Sequence, residues 1–168
     1  MIVMDLRIEK VVINCGAGES GEKLQKAKKM VEMITGRKAC LTKAKKREPT
    51  FKIKKGETIG VKVTLRKKDA EEFLKRAFAA VDNKINGNSF DKFGNFSFGI
   101  KEYIYLPNTK YDPSIGLLGF DVCVSFSRPG FRVKYRRRKK SKIPLKHYPT
   151  KEECINFLKE KFGVTVIE

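Results

Sequence analysis

Residues 57–66 read ETIGVKVTLR, a stretch in which apolar and polar side chains alternate with a period of two. The apolar positions are Ile59, Val61, Val63 and Leu65, and the polar or small positions are Gly60, Lys62, Thr64 and Arg66. This period is typical of a β-strand with one buried side and one side in water. The stretch therefore predicts a sheet that is covered on one face and polar and basic on the other.

The segments around this strand predict alternating strands and helices. Runs of β-branched residues or a period of two predict further strands at residues 6–13, 38–42, 96–100, 118–126 and 164–167, with 118–126 the longest. Helical spacing of apolar residues predicts helices at residues 20–35 and 69–81 and a third from Thr150 to Gly163, with capping boxes at Asp69 to Glu72 and at Thr150 to Glu153 and a stop at Gly36. This order predicts an α+β fold, a mainly antiparallel twisted sheet with helices packed on one face.

The excess positive charge is concentrated in two windows. The 168 residues include 38 Lys and Arg against 19 Asp and Glu, a formal net charge of +19. Residues 37–55 hold nine basic residues and one acid, and residues 122–151 hold eleven basic residues and no acid, which together account for the whole excess. Basic stretches placed on an otherwise balanced chain indicate a polyanionic partner.

We interpret the chain as a single RNA-binding domain, residues 1–168, from which two basic segments project. The finger, residues 43–56, joins two predicted strands. The arm, residues 128–148, is held at both ends because a capped helix and a strand follow it. Phe131, Tyr135 and Tyr148 are interleaved with its basic residues, as is typical of side chains that stack on unpaired bases. A solvated tail, a nuclear localisation patch and a membrane-surface contact are the alternatives for the arm, and its lack of an amphipathic pattern disfavours the last.

Residues 16–21, GAGESG, match the glycine pattern of dinucleotide-binding loops. That kind of site also needs a parallel βαβ unit and an acidic residue about 20 positions further on to hold the ribose. Basic and apolar residues stand there instead, so we predict no nucleotide cofactor. The glycines and the helix N-terminus suit a phosphate of RNA.

The sequence predicts no metal site and no enzyme. Cys15, Cys40, Cys123 and Cys154 are widely separated and His147 is the only histidine, so no close pair of ligands is available. We interpret the cysteines as small apolar residues and His147 as a surface residue or an RNA contact. No carboxylate pair in an apolar context and no nucleophile signature is present. No apolar run approaches the ~20 residues of a membrane span and no signal peptide is evident, so a soluble intracellular protein without a membrane partner is expected.

Six motifs, in order, resemble the universal ribosomal protein "L five" family of the large subunit. They are VINCGAGES at 12–20, TKAKK at 42–46, KGETIGVKVTLR at 55–66, SFDKFGNFSFGIKE at 89–102, YDPSIG at 111–116 and RPG at 128–130. The resemblance extends from about Met4 to the C-terminus, and the arm with the ending KIPLKH at 142–147 looks archaeal-type, with eukaryotic cytosolic relatives next. The family commonly has Gln where Arg37 stands, Pro at Ala39 and Gly at Lys67.

The resemblance implies a structural RNA-binding protein of the cytoplasmic ribosome, in the central protuberance of the large subunit. It implies that the chain binds 5S rRNA, anchors it to large-subunit rRNA, contacts other central-protuberance proteins and proteins of the small-subunit head, and extends the finger toward the P-site tRNA. The alternative is a free-standing RNA- or DNA-binding or chaperone protein.

Carried over by motif, the resemblance assigns Asn14, the turn from Gly16 to Ser20, and Thr64 to 5S rRNA, and residues 43–55 to the finger. The complete set of candidate RNA-binding residues is Asn14, Gly16, Gly18, Ser20, Arg37, Lys38, Lys43, Thr64, Arg66, Arg128, Arg132, Lys134, Arg136, Arg137, Arg138, Lys139 and Lys140. The candidate tRNA-facing residues of the finger are Lys45, Lys46, Arg47, Lys52, Lys54 and Lys55.

Overall fold

The computed structural model describes residues 6–18 and 21–167. The strands of this part of the chain are β1 (Arg7–Gly16), β2 (Cys40–Lys43), β3 (Thr58–Leu65), β4 (Lys84–Asn86), β5 (Phe96–Ile100), β6 (Phe120–Ser127) and β7 (Thr165–Ile167). Its α-helices are α1 (Glu22–Thr35), α2 (Lys67–Ala79), α3 (Arg132–Tyr135) and α4 (Lys151–Phe162). The predicted N-terminal part of the first helix includes Ser20, which lies outside the described residues.

The main sheet has five antiparallel strands in the order β2-β3-β1-β6-β5. This confirms the predicted α+β class. The prediction that 118–126 is the longest strand is wrong, because β1 has 10 residues and β6 has 8. β1 lies between β3 and β6 and pairs with β6 as far as Asn14 and with β3 as far as Gly16, which extends it beyond the predicted boundary at Ile13.

Two helices cover one face of this sheet, because the helical spacing of their apolar residues gives each helix one apolar side that packs on the sheet. Helix α1 buries Leu24, Ala27, Met30, Val31 and Ile34, and helix α2 buries Ala70, Phe73, Leu74, Ala77 and Phe78. Against them pack the apolar side chains of β3, Val61, Val63 and Leu65, as the period of two predicts. Gly36 ends α1 in a left-handed conformation (φ 64°), which confirms the predicted stop.

A second sheet of two short parallel strands, β4 and β7, is absent from the sequence prediction, which has no strand at residues 84–86. The three residues Lys84–Asn86 contain one apolar side chain, the buried Ile85, so there is no alternation to detect. The pairing depends on a partner that lies about 80 residues further along the chain, and the Thr165 N–H donates to the Asn83 carbonyl at 2.8 Å beside it.

The two predicted capping boxes have different outcomes. At α4 the box is confirmed, since the Thr150 N–H donates to a carboxylate oxygen of Glu153 (2.9 Å) and the Glu153 N–H donates to the Thr150 hydroxyl (3.4 Å). The box at Asp69 is wrong. Helix α2 begins two residues earlier, at Lys67, and its N-cap Arg66 makes no side-chain capping bond. The Asp69 carboxylate instead forms an ion pair with Arg37.

Lys67 has a left-handed backbone (φ 54°) at the start of α2, where a side chain with a Cβ is strained. We expect Lys67→Gly to raise the free energy of unfolding by about 1 kcal/mol, because glycine adopts this conformation without the clash. Urea unfolding measures it. The matched control is Lys75→Gly on the exposed side of the same helix, which should lower stability by about 1 kcal/mol. A loss of stability for Lys67→Gly equal to that of the control would show that the turn does not favour glycine.

Candidate nucleic-acid interface

The uncovered face of the main sheet brings together two residues predicted to bind RNA. In the strand register, Asn14 of β1 lies opposite Lys62 of β3, and Val12 lies opposite Thr64. Directly opposed residues of an antiparallel pair share a face, so Asn14 and Thr64 are diagonal neighbours, about 7 Å apart. Thr64 and Lys62 are exposed and Asn14 is half-buried.

Small and polar side chains continue this open face across the other strands. On β6, Asp121 lies opposite Asn14 and Cys123 opposite Val12; on β2, Cys40 lies opposite Lys62. Burial, together with the nearby Asp121 carboxylate, raises the pKa of the Cys123 thiol. The open face therefore has small side chains in its middle and a single acid, Asp121, next to Asn14 among these neighbours.

A cleft of about 640 Å³ lies at the β2–β3 side of the open face. It collects four of the predicted residues, Arg37, Lys38, Thr64 and Arg66. Lys62 also lines it and was not among the candidates, although the alternation of residues 57–66 had placed its side chain on the polar face. The basic side chains of this cleft suit the phosphates of a polyanion.

Two of the cleft's arginines already have partners. Arg37 forms an ion pair with the Asp69 carboxylate, and an Arg66 guanidinium N–H donates to the Glu9 carbonyl at 3.4 Å. A phosphate at Arg37 would therefore compete with Asp69. The neighbouring Ala39 N–H donates to the Glu32 carboxylate at 2.9 Å, a bond that proline at this position does not allow.

The glycine turn after β1 holds the chain against β3. The N–H groups of Ala17 and Gly18 both donate to the Ile59 carbonyl, at 3.0 and 3.2 Å, so neither is free for a phosphate. The predicted contact Ser20 lies outside the described residues. β1 is antiparallel to both of its neighbours, so the turn does not belong to the parallel unit of a dinucleotide-binding fold.

The finger is a hairpin between β2 and β3. At its base the Ala44 N–H donates to the Glu57 carbonyl (2.8 Å), and Glu48 and Ile53 exchange two backbone hydrogen bonds of 3.0 and 3.1 Å. Its tip carries Phe51, which is 70% exposed. Exposed basic side chains surround the tip: Lys45, Lys46, Arg47, Lys52, Lys54 and Lys55.

The base of the arm is packed against the body. Phe131 is 7% exposed and its ring lies 5.1 Å from that of Tyr148, which also contacts Phe93 at 4.7 Å between ring centroids. The interpretation of Phe131 as a stacking side chain is therefore wrong, because its ring is buried, whereas Tyr148 is half-buried between Phe131 and Phe93. His147 is half-buried, and its Nε2 lies 2.9 Å from the Pro129 carbonyl oxygen, so it holds the arm's base and is not an open surface residue.

Arg128, a predicted RNA contact, is paired within the protein at the start of α4. Its guanidinium pairs with Glu153, the residue that completes the cap of α4, and its side chain is 20% exposed. The Thr150 N–H and the Arg128 guanidinium together hold the pKa of the Glu153 carboxyl below its ordinary value. The other predicted arm residues on the surface are the exposed Arg132, Arg136, Arg137, Arg138, Lys139 and Lys140.

The cysteines differ in exposure. Cys15 and Cys154 are buried, Cys123 is half-buried and Cys40 is exposed, so the interpretation as small apolar residues fits the buried pair and is wrong for Cys40. Within residues 6–18 and 21–167 there is no cluster of three His, Cys, Asp or Glu side chains suited to a metal ion. None of the helices described has the length and apolar character needed to cross a bilayer.

Comparisons with known proteins match this chain to one family along nearly its whole length. Residues 58–156 match the model of the ribosomal L5 family C-terminus and residues 2–54 match Ribosomal protein L5. Among similar proteins are three named large ribosomal subunit protein uL5. That of Sulfurisphaera tokodaii is 52% identical over 97% of this chain and 93% of its own length. Those of Sulfolobus acidocaldarius and Methanococcus aeolicus are 50% and 53% identical, over 96% and 95% of this chain and 90% of their own lengths.

These matches agree with the archaeal character indicated by the arm. They support a ribosomal constituent over a free-standing RNA- or DNA-binding or chaperone protein. The chain belongs to the ribosomal protein L5 family, a family of non-enzymatic structural proteins of the large ribosomal subunit.

Proposed function

We propose that this protein, a constituent of the cytoplasmic large ribosomal subunit, binds 5S rRNA through its open face and anchors it to large-subunit rRNA in the central protuberance. The observation that carries the proposal is the diagonal pair of Asn14 and Thr64 beside Lys62 on an uncovered face. The helices occupy the other face, so the RNA has access to these side chains.

The side chains of the open face suit two kinds of RNA contact. Lys62, Lys38 and Arg66 supply positive charge for phosphates, which set the position of the RNA but carry no sequence information. The Asn14 amide both donates and accepts hydrogen bonds, and the Thr64 hydroxyl does the same. These two groups therefore suit ribose hydroxyls and base edges, the parts of an RNA that distinguish it from other polyanions.

The finger has a separate role in this proposal. It extends its exposed lysines and Arg47 from the β2–β3 edge, and we assign it to the P-site tRNA and to the small-subunit head. The exposed Phe51 at its tip gives it an aromatic contact in addition to charge. The arm contributes its exposed basic residues to large-subunit rRNA.

Removing the polar groups of the open face should weaken binding of 5S rRNA. We expect Asn14→Ala and Thr64→Ala each to lower the affinity about tenfold, the loss expected when one hydrogen bond to a buried polar partner is removed. Filter binding or calorimetry with the full chain measures this. Matched controls are Gln25→Ala, at an exposed side chain of α1, and Thr165→Ala, at an exposed side chain of β7, which should leave the affinity unchanged. Equal losses in the controls would refute a specific site at Asn14 and Thr64.

Neutralising the basic side chains of the finger should weaken tRNA binding and spare 5S rRNA binding. We expect the triple change Lys45→Gln, Lys46→Gln and Arg47→Gln to leave 5S rRNA affinity within about twofold and to weaken tRNA binding by reconstituted large subunits about tenfold, because about three phosphate contacts are lost. A triple variant that loses 5S rRNA as strongly as Asn14→Ala would show that the finger and the open face are one site.

A further inference from the structure

A groove of about 650 Å³ lies between the arm and two residues of the body, Phe93 and Asn95, and it shares no lining residue with the cleft of the open face or with the finger. The arm turns back at Lys139, which has a left-handed backbone (φ 51°), and the Arg136 Nε donates to the Lys139 carbonyl at 2.8 Å across this turn. The Ser141 N–H then donates to the Val133 carbonyl at 3.3 Å, so the returning chain runs alongside α3. These two parts of the arm line the groove together with Phe93 and Asn95.

Aromatic and aliphatic side chains line the groove, and two of these side chains are exposed to water. Tyr135 is 57% exposed and Leu145 is 75% exposed, although both side chains line the groove. Tyr148 lines it as well, and its ring is fixed against Phe93. Tyr135 is therefore the most exposed aromatic ring of the arm and the one best placed to receive a flat ligand, since Phe131 is buried and Tyr148 is half-buried.

The charged side chains that line the groove are all positive. Of the ten described residues that line it, three are lysines and none is acidic. The Lys134 ammonium lies 5.6 Å from the centroid of the Tyr135 ring and 5.3 Å from that of Tyr148, and it donates to the Tyr148 hydroxyl at 3.1 Å. Lys140 and Lys142 are exposed at the rim. An aromatic floor with a cationic rim suits a ligand that has a flat ring and an anionic group together.

We propose that this groove binds a single unpaired nucleotide of large-subunit rRNA, with its base stacked on Tyr135 and its phosphate at Lys140 and Lys142. The volume lies within the range of about 300–1,000 Å³ typical of small-ligand pockets, so it suits one nucleotide and not a duplex. Base stacking on an exposed aromatic ring needs an unstacked base, which RNA provides in loops and bulges. The inference rests on the proposed role of the arm in binding rRNA and assigns it the class of nucleotide that it recognises.

A local fluorescence signal tests the stacking. The chain contains no tryptophan, so Tyr135→Trp introduces a single indole into the groove. We expect a short single-stranded adenylate oligonucleotide to quench this indole and an abasic oligonucleotide of the same length to leave it unquenched. The matched control is Tyr111→Trp, at a tyrosine that is 54% exposed outside the groove, which should not be quenched by either. Equal quenching by the two oligonucleotides, or equal quenching at position 111, would overturn the proposal.

Truncation and crosslinking test the same contact in the native assembly. Tyr135→Ala should lower affinity for the adenylate oligonucleotide about 5- to 100-fold, and Tyr135→Phe should retain it, because stacking uses the ring and not the hydroxyl. In intact large subunits, ultraviolet crosslinking followed by mass spectrometry should join the Tyr135 peptide to a nucleotide. A crosslink from this peptide to another ribosomal protein would instead show that the groove holds a peptide.

The outcomes separate this inference from the assignment of 5S rRNA to the open face. Tyr135→Ala should keep its affinity for 5S rRNA, whereas Asn14→Ala should keep quenching at position 135 when combined with Tyr135→Trp. If the chain does not bind 5S rRNA but still shows base-dependent quenching, the groove inference is supported and the open-face proposal is refuted. If the chain binds 5S rRNA but shows no base-dependent quenching, only the groove inference is refuted.

Discussion

The affinity of the chain for 5S rRNA should fall about a thousandfold or more when salt rises from about 50 mM to about 200 mM. The physical reason is release of counterions from the RNA as basic side chains neutralise its phosphates. If about six to eight phosphates are neutralised, the logarithm of the binding constant falls with the logarithm of salt concentration at a slope of roughly −5 to −7. Equilibrium binding over a salt series measures the slope.

Two variants separate charge from specific contact in that experiment. Lys38→Gln with Lys62→Gln removes two charges from the cleft and should reduce the steepness of the slope by about 1.5. Asn14→Ala removes a neutral amide, so it should lower affinity at every salt concentration and leave the slope unchanged. A slope near zero for the native chain would contradict binding by charge neutralisation.

Gly94→Ala should lower the free energy of unfolding by about 3 kcal/mol. Gly94 has a left-handed backbone (φ 72°), and a Cβ there would overlap the Cys154 sulfur and approach the Thr150 carbonyl oxygen to 3.1 Å. Both contacts belong to the start of α4, where the Cys154 side chain is fully buried. The substitution therefore combines backbone strain with overpacking, and thermal or urea unfolding measures the sum.

Gly36→Ala is the matched control for this substitution. Gly36 is also left-handed (φ 64°), but a Cβ at this position meets no atom within 4 Å. We expect it to cost about 1 kcal/mol, the backbone strain alone. Equal effects of the two substitutions would mean that the close approach of Gly94 to Cys154 does not exist in the folded protein.

Local sequence patterns predicted the parts of the fold that have a clear period. The alternation at residues 57–66 predicted both faces of β3, and with them the polar face on which Asn14 and Thr64 meet. The Thr150 box is also local, because its two partners lie three residues apart. Such features require no knowledge of what is distant in sequence.

The features that sequence analysis missed depend on contacts between distant residues. Arg37 looked like a free cation, but Asp69, which lies on α2, folds against it. Phe131 looked like a stacking residue in a basic segment, but Tyr148 and His147 return to pack on it. β4 has too little apolar pattern to be recognised without its partner β7. In each case, contacts with residues distant in sequence decide the role of the side chain or the formation of the strand.

The native thiols allow the most direct test of the open face. Cys40 is exposed on that face opposite Lys62, so its alkylation reports access to the proposed 5S rRNA site. Cys154 is buried, and desolvation raises the pKa of its thiol to about 12, so it should react slowly in any state. Thr165→Cys on β7 provides an exposed thiol away from the open face.

The decisive measurement is the rate of Cys40 alkylation in the full chain with and without saturating 5S rRNA. We expect 5S rRNA to slow alkylation of Cys40 about tenfold or more, because access to the thiolate controls the rate, and to leave a thiol at position 165 as reactive as before. An unchanged rate at Cys40 in a complex that has demonstrably formed would contradict binding of 5S rRNA on the open face.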